Sequence, residues 1–141
     1  CFMEVYSAPS DIAARLAAVA APIRLVVFTQ TFGCDTCYEA RQVADQMASL
    51  SDQITVEEHN LVLDKDEVAK YQVDQVPVIA VVSEWDVGIR YYGVPAGFEV
   101  ESLVSAIEVV AGLAPAVSVS TQSLLDVLDR DVRISVFVTP T

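Results

Sequence analysis

Two cysteines, Cys34 and Cys37, stand two residues apart in the stretch "TFGCDTCYEARQ", residues 31 to 42. Three chemistries fit that spacing: a dithiol that cycles, half of a metal site, or a structural staple. A cycling dithiol needs two sulfurs close enough to join and one that ionises near neutral pH. A C-x-x-C in the first turn of a helix meets both needs, because the unpaired N–H groups and the helix dipole stabilise a thiolate on the first cysteine. Helix-borne thiols of this kind fall from about 8.5 to roughly 3.5–7.5. On this reading Cys34 attacks and Cys37, one turn inward, resolves. Asp35 suits a helix N-terminus but opposes a thiolate at its neighbour. No Lys or Arg adjoins the pair, so helix terminus and desolvation carry the activation.

A zinc or iron–sulfur site needs two further ligands. Only Cys1 and His59 remain as candidates, and His59 sits beside Glu57 and Glu58 in a strand, where a lone histidine is more often solvated than metal-bound. A site shared between two chains is the other metal route. Spacing alone leaves redox, metal and structural readings open. Three cysteines make a poor disulfide framework for a secreted protein and fit a cytosolic one with a working pair and a spare thiol.

Composition removes several function classes. The formal net charge of −12 leaves no basic surface for nucleic acid and disfavours an anionic membrane. No apolar run approaches the roughly 20 residues of a membrane span. The opening "CFMEVYSAPS" has no basic n-region and does not read as a secretory signal. With 141 residues, 53% of them hydrophobic, the chain can bury a full core without low-complexity linkers.

The elements that must hold the cysteines follow from periodicity. Ser10 is read as an N-cap for a helix carrying Ile12, Leu16 and Val19, ended by Pro22. "IRLVVF" (23–28) reads as a central strand covered on both faces. Residues 35–50 return to helical period through Val43, Met47 and Leu50. "ITVEEHNL" (54–61) reads as a strand, and "DKDEVAKYQ" (64–72) as a short helix with its charges outward. "QVPVIAVV" (75–82) is a strand led by a proline, where the missing N–H is tolerated. "SEWD" turns into a hairpin partner, "VGIRYYG" (87–93), in which Trp85, Tyr91 and Tyr92 are read as packing residues. A last helix carries Leu103, Ile107 and Val110, with Gly112 at its C-terminus. Gly88, Gly93 and Gly97 are read as turn or close-packing residues, not a phosphate loop.

Residues 114–141 stand outside that plan. "APAVSVS" is a connector, and "TQSLLDVLDR" an amphipathic helix with Leu124, Leu125 and Leu128 on one side. "DVRISVFVTPT" alternates through Val132, Ile134, Val136 and Val138 and reads as a strand. Helix, apolar strand and Thr-containing turn repeat the pattern of residues 10–33, the start of an internal repeat. An unpaired edge of this kind is expected to join a second chain as a homodimer through residues 132–139.

Pro77 opens its strand 40 positions after Cys37, and the β-α-β-α-β-β-α order around it resembles the thioredoxin fold. "CDTC", "QVPVI", "GIRYYGVPAGFE" (88–99) and "DVRISVFVTPT" together resemble the glutaredoxin-like protein disulfide oxidoreductases, cytosolic proteins with two thioredoxin-fold units in tandem. The resemblance covers residues 10–141. It implies an α/β fold with a mixed sheet flanked by helices, plus an extra C-terminal helix and strand. Residues 1–113 would form one unit, and 114–141 the beginning of a second. It further implies a Cys34/Cys37 dithiol–disulfide cycle on protein disulfides, and a cis-proline at Pro77 beside which the Val76 backbone pairs with substrate. A thioredoxin-reductase-like electron donor is implied, with no bound cofactor or metal. Two departures stand out. The family's second C-x-x-C is due just past Thr141, and "LVVFTQ" lacks the buried acid that thioredoxin carries as a proton relay. The missing second centre keeps a non-catalytic docking module as the competing reading.

Overall fold

The computed structural model describes residues 10–139. Its elements are α1 (Ser10–Ala17), β1 (Ile23–Thr29), α2 (Cys37–Ser49), β2 (Ile54–Asn60), α3 (Lys65–Tyr71), β3 (Val78–Val82), β4 (Asp86–Tyr92), α4 (Phe98–Val110) and α5 (Val119–Asp126). The order read from periodicity is thus the order observed through residue 110.

The four strands form one sheet in the order β2-β1-β3-β4. β2 runs parallel to β1, Ile23 opposite Ile54, while β3 is antiparallel to both β1 and β4. The apolar run of β1 is explained by its place: residues Leu25 to Phe28 have no accessible surface because both faces are covered. On one face Leu25, Val27, Ile79 and Val81 pack with Ile12 and Leu16 of α1, Ala44 and Met47 of α2, and Leu103 and Ile107 of α4. On the other, Val26, Phe28, Val78 and Ala80 meet Tyr71 and Val73, brought over by α3. Each fully buried Leu or Ile contributes about 1.5–3 kcal/mol on an area basis.

Arg15 of α1 ties the first face together across the chain, donating to Glu108 at 2.7 Å and to Glu101, both on α4. Gly112 sits at φ +110°, with its N–H bonded to the Val109 carbonyl and the Leu113 N–H to that of Glu108. That pair of bonds ends α4 in the left-handed turn that glycine adopts without cost.

Three readings need correction. Trp85 at the β3–β4 turn does not pack; it is 67% exposed, whereas Tyr91 is half-buried and shares a hydrogen bond with Ser102. His59 is not freely solvated: its side chain is 18% exposed, with its ring against Phe28 and Glu67 of α3 beside it. Residues 131–139 form no strand, and each of them is exposed. Alternation selects which face of a strand would be buried, but an extended segment becomes a strand only when a neighbour takes its N–H and C=O groups. Among the described residues, none does so here.

Candidate active site

The sheet topology gathers the chemistry at one end. β1 ends at Thr29 and β2 at Asn60; β3 begins opposite Phe28, and β4 ends opposite Val78. The segments 30–36, 61–64, 72–77 and 93–97 therefore emerge side by side. Cys34 and Cys37 lie on the first, or at its junction with α2, and Val76 and Pro77 on the third.

Cys34 and Cys37 form a disulfide with their Cα atoms 5.6 Å apart, within the usual range for such bonds. The pair straddles the start of α2 and does not lie inside its first turn. Thr36 is the N-cap, Cys37 is the first helical residue, and Cys34 lies two residues ahead of the cap. Gly33, at φ +73°, bends the chain there, and the Gln30 side-chain amide donates to its carbonyl at 3.2 Å. Thr36 makes no side-chain capping bond, so the first N–H groups of α2 are left for an acceptor near them. The two sulfurs differ in access: Cys37 is 6% exposed, while Cys34 is half-buried at the surface.

Val76 is half-buried and Pro77 buried, joined by a cis peptide bond. The Pro77 carbonyl accepts the Gly93 N–H at 2.9 Å, which fixes this turn to the segment after β4. Among the described residues, no hydrogen bond engages the Val76 backbone.

Beside the disulfide lies an open cavity of about 540 Å³, walled by Cys37, Tyr38 and Arg41 on α2 and by Glu58, His59 and Asn60 on β2. Arg41, one helical turn after Cys37, donates to Asp45 at 3.0 Å and to Glu58; the Thr29 hydroxyl donates to Glu58 at 2.8 Å. Burial works against the Arg41 charge, but bonding to Asp45 and the charges of Asp45 and Glu58 outweigh it and hold the guanidinium above its ordinary pKa. On the opposite face, Glu57 is held below the ordinary carboxylate range by its hydrogen bond with His59 and then by Arg24.

Sequence reasoning missed two groups. Arg41 was visible as the residue four positions after Cys37, a spacing that shares a helix face. The other group is apolar: Phe32, Leu63 and Phe98 are 77–86% exposed and Tyr38 is 73% exposed, all on or next to the segments around the disulfide. Tyr38 lies off the Ala40–Ala44–Met47 face of α2, which was a signal for exposure. Cys1 and the chain's first nine residues lie outside the described residues.

No protein-family model and no curated protein sequence matches the chain. Solved structures do. A protein disulfide oxidoreductase from Aeropyrum pernix superposes with a TM-score of 0.72 at 23% identity, covering 84% of this chain and 53% of that one. The N-terminal domain of alkylhydroperoxide reductase AhpF from Enterococcus faecalis gives 0.70 at 22%, covering 82% and 58%. A thioredoxin variant from Halobacterium salinarum gives 0.56 at 18%, covering 76% and 88%. The chain has a thioredoxin fold. It spans little more than half the length of the first two proteins, and at these identities the likeness establishes the fold alone. Within that thioredoxin fold, the Cys34–Cys37 disulfide occupies the segment between β1 and α2. Among the described residues, no helix is long and apolar enough to cross a membrane.

Proposed function

We propose that this chain is a thiol–disulfide oxidoreductase acting on protein disulfides through Cys34 and Cys37. The observation that carries the reading is the unequal exposure of two joined sulfurs at the start of α2 in a thioredoxin fold. In the reduced protein the Cys34 thiolate attacks a substrate disulfide, forming a mixed disulfide and releasing one substrate thiolate. The buried Cys37 thiolate then attacks the Cys34 sulfur, releasing the second thiolate and leaving the protein disulfide. Substrate gains two electrons, and the two thiol protons pass to the products. The Val76 backbone, with no hydrogen bond to the other described residues, pairs with the substrate chain beside Pro77, while Phe32, Tyr38, Leu63 and Phe98 offer it apolar contact. The dithiol is restored by a second redox protein of the thioredoxin-reductase kind; the likeness to a domain of an alkylhydroperoxide reductase supports such a relay.

A reducing compartment, the cytoplasm, suits this cycle and the absence of a larger disulfide framework. Residues 114–141 are read as the beginning of a second thioredoxin-like unit, supported by their echo of residues 10–33 and by the greater length of the first two similar proteins. Their exposed apolar side chains support self-association through residues 132–139. The test of the central reading is insulin-disulfide reduction by the intact chain and by Cys34→Ser. Turnover is expected only with the unmodified chain, and equal rates would refute the assignment.

A further inference from the structure

On the face of β2 that looks towards α3, three side chains converge: Glu57, Glu67 and His59, the last also lining the cavity beside the disulfide. One ligand atom from each lies within 4.8 Å of the other two. We infer that these residues form a site for one first-row divalent cation of the zinc kind, linking β2 to α3.

The distances bracket those an ion would impose. Zinc held at roughly 2.0–2.1 Å by nitrogen and oxygen in a tetrahedron sets its ligand atoms about 3.4 Å apart. His59 Nε2 lies 2.6 Å from Glu57 Oε1 and 3.9 Å from Glu67 Oε2, so each adjusts by less than 1 Å. A bound ion would replace the hydrogen bond between the imidazole and the carboxylate, with Nε2 as its nitrogen ligand. Three protein ligands leave the fourth position to water.

The surroundings already orient each ligand, as metal sites require. Arg24 donates to the far oxygen of Glu57, Oε2, at 2.8 Å, leaving Oε1 turned to His59. The other nitrogen of His59, Nδ1, faces Asp64 Oδ2 at 3.8 Å. Asp64 is itself held by the Asn60 N–H at 2.6 Å. The imidazole rests on Phe28, with ring centroids 5.6 Å apart, and its side chain is only 18% exposed. Lys70, 59% exposed and 3.4 Å from Glu67, would swing away to admit the ion. A histidine nitrogen beside two carboxylates favours zinc over magnesium or calcium, which prefer all-oxygen shells.

The experiment is calorimetric titration of Zn2+ and Mg2+ into the intact chain, with Cys34 and Cys37 kept as the disulfide and any free thiol alkylated, so that sulfur cannot chelate. One Zn2+ per chain is expected, with Mg2+ at least 100-fold weaker. Glu67→Gln changes a partly exposed side chain on α3, is checked for fold by circular dichroism, and is expected to weaken Zn2+ at least tenfold. His59→Ala should abolish binding, and the His59 imidazole nitrogen signals should shift on zinc addition to the unmodified chain. Absence of zinc binding, equal binding of Mg2+, or full zinc affinity in Glu67→Gln would each overturn the site.

Discussion

Residues 10–113 and residues 114–139 are both rich in apolar side chains, yet they use them in opposite ways. In the first region Leu16, Leu25, Leu103 and Ile107 have no accessible surface; in the second Leu124, Ile134, Val136 and Phe137 are 70–93% exposed. The difference is one of partners. Every helix of the first region that flanks the sheet buries side chains against it, whereas every described residue of α5 and of the segment after it is exposed. Hydrophobic sequence supplies a driving force, and only a complementary surface converts it into structure.

The sharpest way to break this comparison is to truncate one leucine from each region. Leu103→Ala is expected to cost about 2–5 kcal/mol, because the surrounding core cannot collapse into the space left. Leu124→Ala should change the unfolding free energy measured in urea by less than about 0.5 kcal/mol. Comparable losses at both sites would mean that α5 is packed in solution. A chain ended after Leu113 carries the same contrast further: it should keep its cooperative unfolding transition, since none of the described residues beyond it is buried.

A second intervention acts on association. Ile134→Asp with Val136→Asp places two charges on the alternating face of the segment expected to pair between chains. Light scattering should then report a lower mass than for the unmodified chain, with the unfolding midpoint of the first region unmoved. An unchanged mass would detach self-association from this segment.

The two regions also mark where the sequence was readable. β1 was legible because "IRLVVF" leaves no polar face, so it has to be covered on both sides. The cysteines were legible by spacing, and Pro77 by its place ahead of β3. Residues 131–139 misled because alternation belongs to one chain whereas pairing belongs to two. His59 misled for the opposite reason: its sequence neighbours are acidic and polar, while Phe28 and α3, which stand beside it, arrive from other parts of the chain. Arg41 escaped notice because helical adjacency matters only once α2 is known to start at Cys37.

The smallest effect expected is electrostatic, and it again separates the regions. Glu108 is held below the ordinary carboxylate range by its hydrogen bond from Arg15. A carboxyl whose folded pKa is depressed adds stability above its unfolded value, near 4.5. That contribution is lost as pH falls through the lower folded value. Glu108→Gln should therefore lower stability at neutral pH by about 1 kcal/mol, since the pair is only partly shielded from water. The gap between variant and unmodified chain should close as the solution is taken below the ordinary carboxylate range. Asp129→Asn, in the exposed second region, should leave stability unchanged at every pH. A gap for Glu108→Gln that persists in acid would show that the loss came from packing between α1 and α4 and not from the charge.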